Sequence, residues 1–79
     1  GDPGRVRKLN ELPEGMRREL PPLSVSGSMY SPQPAARMLV LDGQVVREGD
    51  QLRPGLVLES IGLKSATLSL RGERFLLSY

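Results

Sequence analysis

Ala66-Thr67-Leu68-Ser69-Leu70-Arg71-Gly72-Glu73-Arg74-Phe75-Leu76-Leu77-Ser78-Tyr79 reads as two short strands folded back on each other. Apolar residues recur with period two on either side of Arg71-Gly72, the pattern of half-buried strands. With Arg71-Gly72 as a two-residue loop, Leu68 faces Phe75 and Ala66 faces Leu77 on one side of the hairpin. The other side then receives Ser69 with Arg74 and Thr67 with Leu76. A slip of one residue would bury Arg74 and expose Phe75, so the sidedness of the pattern dictates the register.

Working upstream, Leu56–Ile61 is a further strand with Leu56 and Leu58 inward and Ile61 undecided. Gly62-Leu63-Lys64-Ser65 connects it to the hairpin. Glu48-Gly49-Asp50-Gln51 and Arg53-Pro54-Gly55 carry turn chemistry around a lone Leu52. Asp42-Gly43 lies between the apolar runs Arg37–Leu41 and Gln44–Arg47, where a type I′ turn needs positive φ at both central residues. That turn sets Val40 opposite Val45 and Leu39 opposite Val46. Both faces of this hairpin are apolar, so it is expected to be covered on both sides.

Ser31-Pro32-Gln33-Pro34-Ala35-Ala36 is a loop, because two prolines cannot sit in a ladder. Before it, Leu23–Met29 alternates apolar or small residues with Ser24, Ser26 and Ser28, as a strand does. Leu12 to Leu20 suits one or two turns of helix. Pro13 and Glu14 favour its start, Leu12, Met16 and Leu20 share one face, and Pro21-Pro22 stops it. Residues 1–11 are polar and aperiodic and read as a flexible lead-in. The expectation is one all-β domain over residues 12–79, a small barrel or sandwich of about six short antiparallel strands preceded by a short helical turn.

A chain of 79 residues has room for one domain. It contains no Cys, which removes disulfides and thiolate metal sites, and no His, which removes the commonest general base and imidazole ligands. None of the serines lies in a Gly-x-Ser-x-Gly elbow, and Lys64 in an exposed turn is a poor partner for one. Glu48-Gly49-Asp50 lacks the run of oxygen ligands of a calcium loop and reads as a β-turn. The expectation is a protein that is not an enzyme and takes no metal or other cofactor and no small-molecule substrate. The net charge of +2 comes from 11 basic and 9 acidic residues that alternate along the chain. Such mixing describes a solvated surface, whereas nucleic-acid binders gather one sign on one face.

Binding another protein is the remaining task, and the Ser-rich segment is the place for it. Ser24, Val25, Ser26, Gly27, Ser28 and Met29 are flanked by prolines on both sides, so no tight turn locks them to a neighbour. An edge strand there would offer free N–H and C=O groups to a partner strand. Leu23, Val25 and Met29 would face the core, and the N–H groups of Ser26 and Ser28 would share one edge. Tyr30, next in line, has two readings, a contact residue or a half-buried cap at the strand end.

The pattern as a whole resembles the C-terminal domain of the general secretion pathway protein B family of the bacterial type II secretion system. The residues that carry the resemblance are Leu12-Pro13, Leu20-Pro21, Leu23, Tyr30-Ser31, Pro34 and Arg37, followed by Asp42-Gly43, Glu48-Gly49-Asp50, Leu52, Gly55, Ile61, Gly72 and Phe75. The family more often has Asn than Asp at the first turn position. The resemblance implies a periplasmic domain tethered to the inner membrane through a linker and a transmembrane helix outside this stretch. It also implies a β fold akin to the homology region of the system's inner-membrane protein C. The implied partners are the N-terminal periplasmic domains of the outer-membrane secretin and other inner-membrane secretion components, with a scaffolding or targeting role. Two alternatives stand beside it: the protein C homology region or a pilus-assembly lipoprotein domain, and a small nucleic-acid-binding barrel. The last should show exposed aromatics on a basic strand face, where this chain has Ser24, Ser26, Ser28, Thr67 and Ser69.

Overall fold

The computed structural model describes residues 6–79. Eight strands occur among them: β1 (Arg7–Lys8), β2 (Val25–Met29), β3 (Met38–Leu41), β4 (Gln44–Val46), β5 (Gln51–Arg53), β6 (Leu56–Ile61), β7 (Ser65–Leu70) and β8 (Glu73–Ser78). They form a five-stranded sheet in the order β1-β8-β7-β6-β5 and a three-stranded sheet in the order β2-β3-β4. The arrangement is an all-β, sandwich-like fold, and the sheets do not join into a closed barrel.

Both hairpins take the register that alternation dictates. Leu68 pairs with Phe75, Ala66 with Leu77, Ser69 with Arg74 and Thr67 with Leu76. Leu39 pairs with Val46 and Val40 with Val45. Asp42 and Gly43 have φ of 51° and 82°, and Arg71 and Gly72 have 49° and 86°, the positive pair that a type I′ turn requires. The core joins Leu39, Leu41 and Val46 of the small sheet to Leu56, Leu58, Ile61, Ala66, Leu68, Leu70, Phe75 and Leu77 of the large one. Leu12 closes one side, with Met16 and Leu20 packed against the cluster. The helix α1 (Glu14–Arg17) is a single turn, begun by the Pro13 carbonyl accepting the Met16 and Arg17 N–H groups at 3.0 Å each.

Four expectations are corrected. Residues 1–5 of the expected lead-in lie outside the described residues, but Arg7–Lys8 adds to the sheet as a strand parallel to β8, and Leu9–Glu11 forms a 3-10 turn. Main-chain pairing holds Arg7–Lys8 and a single apolar residue, Leu9, packs the following turn against the core, so no hydrophobic period announces them. Gln51–Arg53 is likewise a strand, not a turn around Leu52, and pairs with β6 across the Pro54-Gly55 turn. The Asp42-Gly43 hairpin is covered on one side: Leu39, Leu41 and Val46 are buried, whereas Val45 is 58% exposed. Ser69, expected on an open face, is buried. Arg74 on β8 reaches Glu59 on β6 at 3.0 Å, and this ion pair must cross the intervening β7, roofing that face.

Two bulges decide what alternation alone left open. A register shift between Leu58 and Ser60 inserts Glu59 and turns Ile61 inward, where strict alternation would have placed Ser60. The second lies in β2.

Candidate protein-interaction site

β2 occupies the end of the small sheet, paired with β3 on one side and with no strand on the other among the described residues. Ser24 N–H donates to Asp42 Oδ1 at 3.0 Å, and Asp42 N–H donates to the Ser24 carbonyl at 2.8 Å. This exchange ties the start of β2 to the β3–β4 turn and sets the phase of the ladder. Ser24 directs its backbone groups toward β3, so Val25 directs its own to the free edge.

The pairing then shifts between Val25 and Gly27: Val25 lies opposite Leu41, Gly27 opposite Val40, Ser28 opposite Leu39 and Met29 opposite Met38. Ser26 is the extra residue of a bulge. Beyond it the phase resumes, and Ser28 turns its N–H and C=O outward while Gly27 and Met29 bond to β3. The free edge is therefore made by Val25 and Ser28. Ser26 and Ser28 do not share one edge, because the bulge sets Ser26 with Gly27 opposite Val40.

The bulge also reverses sidedness. Met29, expected on the core face with Leu23 and Val25, joins Met38 on the outer face and is 55% exposed. Val25 stays on the core side, packed against the central cluster together with Leu23. Gly27 leaves Val40 unscreened, since a Cβ there would sit 3.5 Å from Val40 Cγ2. Met29, Met38, Val40 and Val45 thus line the outer face of the small sheet next to the free edge. Ser24, Ser26 and Ser28 are all exposed.

Tyr30 is not a half-buried cap on the core, because its ring packs on Arg37 and stays exposed. Its ring lies 4.7 Å below the Arg37 guanidinium and its hydroxyl accepts from Arg37 Nη2 at 3.3 Å, yet it is 43% exposed. Arg37 is a structural centre missed in the sequence. Its Nε donates to the Ser31 carbonyl at 2.7 Å and its Nη1 to Glu48 Oε2 at 3.1 Å. The same Glu48 oxygen accepts the Ile61 N–H at 2.7 Å. That backbone donor, more than the Arg37 charge, holds the Glu48 carboxyl below the ordinary carboxylate range. Nothing in local spacing foretells an Arg37–Glu48 pair, which exists because two loops meet at β6.

Among the described residues no group of three or more His, Cys, Asp or Glu is placed to hold a metal, and no helix is long and apolar enough to cross a membrane. What the surface offers is main-chain hydrogen bonding beside an apolar sheet face. These features define a small β-sandwich domain with an exposed strand edge at β2. The family described as type II secretion system protein B matches residues 20–78, and the chain belongs to that family. It is similar to general secretion pathway protein B of Aeromonas hydrophila, 31% identical over 65 residues that make up 82% of this chain and 29% of that one. General secretion pathway protein B of Dickeya dadantii is 39% identical over 59 residues, 75% of this chain and 27% of its own. The chain thus spans less than a third of the length of these relatives. The crystal structure of Dickeya dadantii GspB from the type 2 secretion system superposes with a TM-score of 0.68 at 36% identity, covering 71% of this chain and 67% of that chain. The family assignment selects protein B over the protein C homology region and the nucleic-acid-binding barrel.

Proposed function

We propose that this domain binds the periplasmic N-terminal region of the outer-membrane secretin and serves the type II secretion machinery as a scaffold or targeting factor. In this reading it works in the periplasm, carried by a protein anchored in the inner membrane through a segment outside this chain, alongside other inner-membrane components. It acts by binding alone, without catalysis. The partner strand adds to β2, using Ser24 to Met29 with Tyr30 at the end of the contact.

The observation that carries the reading is the free edge of β2, where Val25 and Ser28 turn unpaired backbone groups outward beside the apolar Met29. Main-chain pairing supplies affinity without needing large side chains, which accounts for serines at Ser24, Ser26 and Ser28. Ser28→Pro tests it, because proline deletes an outward donor and leaves the β3 ladder alone. Titrating the purified secretin N-terminal region into the parent and the variant should show at least about a tenfold loss of affinity, the worth of one to two net hydrogen bonds. Circular dichroism should be unchanged. A folded Ser28→Pro protein with parental affinity would rule out strand addition at this edge.

A further inference from the structure

A second surface lies apart from the β2 edge. A groove of about 560 Å³ runs between the N-terminal segment and β8. Half-buried Leu9, Leu20, Leu23 and Leu76 form its floor, and exposed Lys8 and Arg17 stand on its rim. No Asp or Glu lines it. A second groove is different in kind, since Asp42 and Asp50 line it together with Arg53.

Arg18, Arg37, Arg71 and Arg74 are matched to Glu14, Glu48, Glu19 and Glu59. Among the described residues Lys8 and Arg17 have no ion-pair partner, as is also true of Arg7, Arg47, Arg53 and Lys64, but of these six only Lys8 and Arg17 line the groove. A low-dielectric apolar floor below two unmatched cations strengthens their attraction for an anion above what open water allows. The floor itself requires an apolar group to cover it, so a free inorganic anion would satisfy only half the surface.

We infer that this groove docks an extended segment of a partner protein in which an apolar side chain stands next to Asp or Glu. The apolar side chain lies on Leu20, Leu23 and Leu76, and the carboxylate is held between Lys8 and Arg17. The site uses none of the residues from Ser24 to Tyr30, so it stands or falls independently of secretin pairing at β2.

The probe is a blocked peptide, acetyl-Gly-Glu-Leu-Asp-Leu-Gly-amide, titrated into the isotope-labelled 79-residue chain and followed through its amide resonances. The expected result is saturable shifts at Leu9, Arg17, Leu20 and Leu76, with affinity falling as salt is raised. Replacing Glu and Asp of the peptide by Gln and Asn should weaken binding about tenfold, and replacing both Leu by Ser should do the same. Arg17→Glu and Lys8→Glu should each lower affinity about five- to tenfold, whereas Lys64→Glu, on an exposed connection, should change it less than twofold. Arg17 is exposed in a one-turn helix, so its variant remains informative if Lys8→Glu disturbs the neighbouring turn. Absence of shifts, equal binding of the uncharged peptide, or parental affinity in Arg17→Glu would overturn the inference.

Discussion

Glu48 Oε2 is shared between the Arg37 guanidinium at 3.1 Å and the Ile61 N–H at 2.7 Å, so one carboxylate joins the loop before β3 to the end of β6. The two side chains are each only 17% exposed. The small sheet hangs on the large one through this contact as well as through the apolar core. Glu48→Ala leaves both the guanidinium and a backbone donor without their acceptor, at a cost of about 1–3 kcal/mol. Arg37→Lys should be nearly as harmful, because an ammonium cannot reach Ser31, Glu48 and Tyr30 together. Urea unfolding of the two variants checks this, and midpoints equal to the parent would refute it.

The same carboxylate sets a pH dependence. The Glu48 pKa is lowered in the fold, chiefly by the Ile61 N–H and then by Arg37; that of Glu19 is lowered by Arg71. A depressed carboxyl stabilises the fold fully above its unfolded pKa, about 4.3, and loses that contribution as pH falls through the folded value. Stability should therefore be flat near neutrality and decline from about pH 5 downward. Glu48→Gln should flatten part of this decline. An unaltered acid slope in that variant would assign the effect to other groups.

Phe75 and Leu68 face each other at zero exposure in the centre of the core. Phe75→Ala should cost about 3–5 kcal/mol, a large share of the stability of so small a domain. Val45→Ala, on the open face of the small sheet, should cost under about 0.5 kcal/mol. Equal shifts in denaturant melts would contradict the placement of both residues.

These two positions also mark where sequence patterning sufficed and where it did not. In β8 local alternation and burial agree, and in β7 they part only at Ser69, so the pairing of Leu68 with Phe75 could be read directly. Around β2 they part company, because one extra residue at Ser26 carries Met29 to the outer face while leaving the composition of the strand unchanged. Polarity patterns record which residues alternate, not where an unpaired residue is inserted. The edge position of β2 was legible from its flanking prolines, but Arg37, Glu48 and the basic-rimmed groove depend on loops meeting across sheets. Arg7–Lys8 went unread for a related reason, since backbone pairing to β8 leaves no trace in side-chain chemistry.

Tyr79 clamps the β6–β7 connection. Its hydroxyl donates to the Gly62 carbonyl at 2.7 Å, and its N–H to the Lys64 carbonyl at 2.9 Å. A Cβ on Gly62 would lie 2.9 Å from the Ser65 carbonyl oxygen, so the backbone must shift to admit any side chain. Gly62→Ala should destabilise by about 1–3 kcal/mol, and Tyr79→Phe by about 1 kcal/mol. Burial raises the Tyr79 pKa, so the fold favours the neutral phenol. That contribution is present below the unfolded value of about 10 and is lost as pH rises through the folded one. An absorbance titration should find a tyrosine that ionises late, and Tyr79→Phe should remove that step.

The bulge in β2 yields the most discriminating structural prediction, since it separates two serines that sequence alone treats as equivalent. The Ser24–Asp42 exchange directs Ser24 toward β3, and two strand residues later Ser26 points the same way. The register shift adds Gly27 beside it opposite Val40, which leaves Ser28, opposite Leu39, pointing to the free edge. Proline at Ser26 removes a donor on the β3 side and replaces the flexible extra residue with one of fixed φ. Proline at Ser28 removes a donor that faces away from the ladder, a place where edge strands tolerate it. Ser26→Pro should therefore cost at least about 1 kcal/mol more than Ser28→Pro, the net value of a backbone hydrogen bond. Amide exchange supplies a second readout: Gly27 and Met29 should keep their protection in Ser28→Pro and lose it in Ser26→Pro. If the two variants melt together, or if Ser28→Pro is the weaker, then β2 lies in the other phase and its free edge is formed by Ser26 instead.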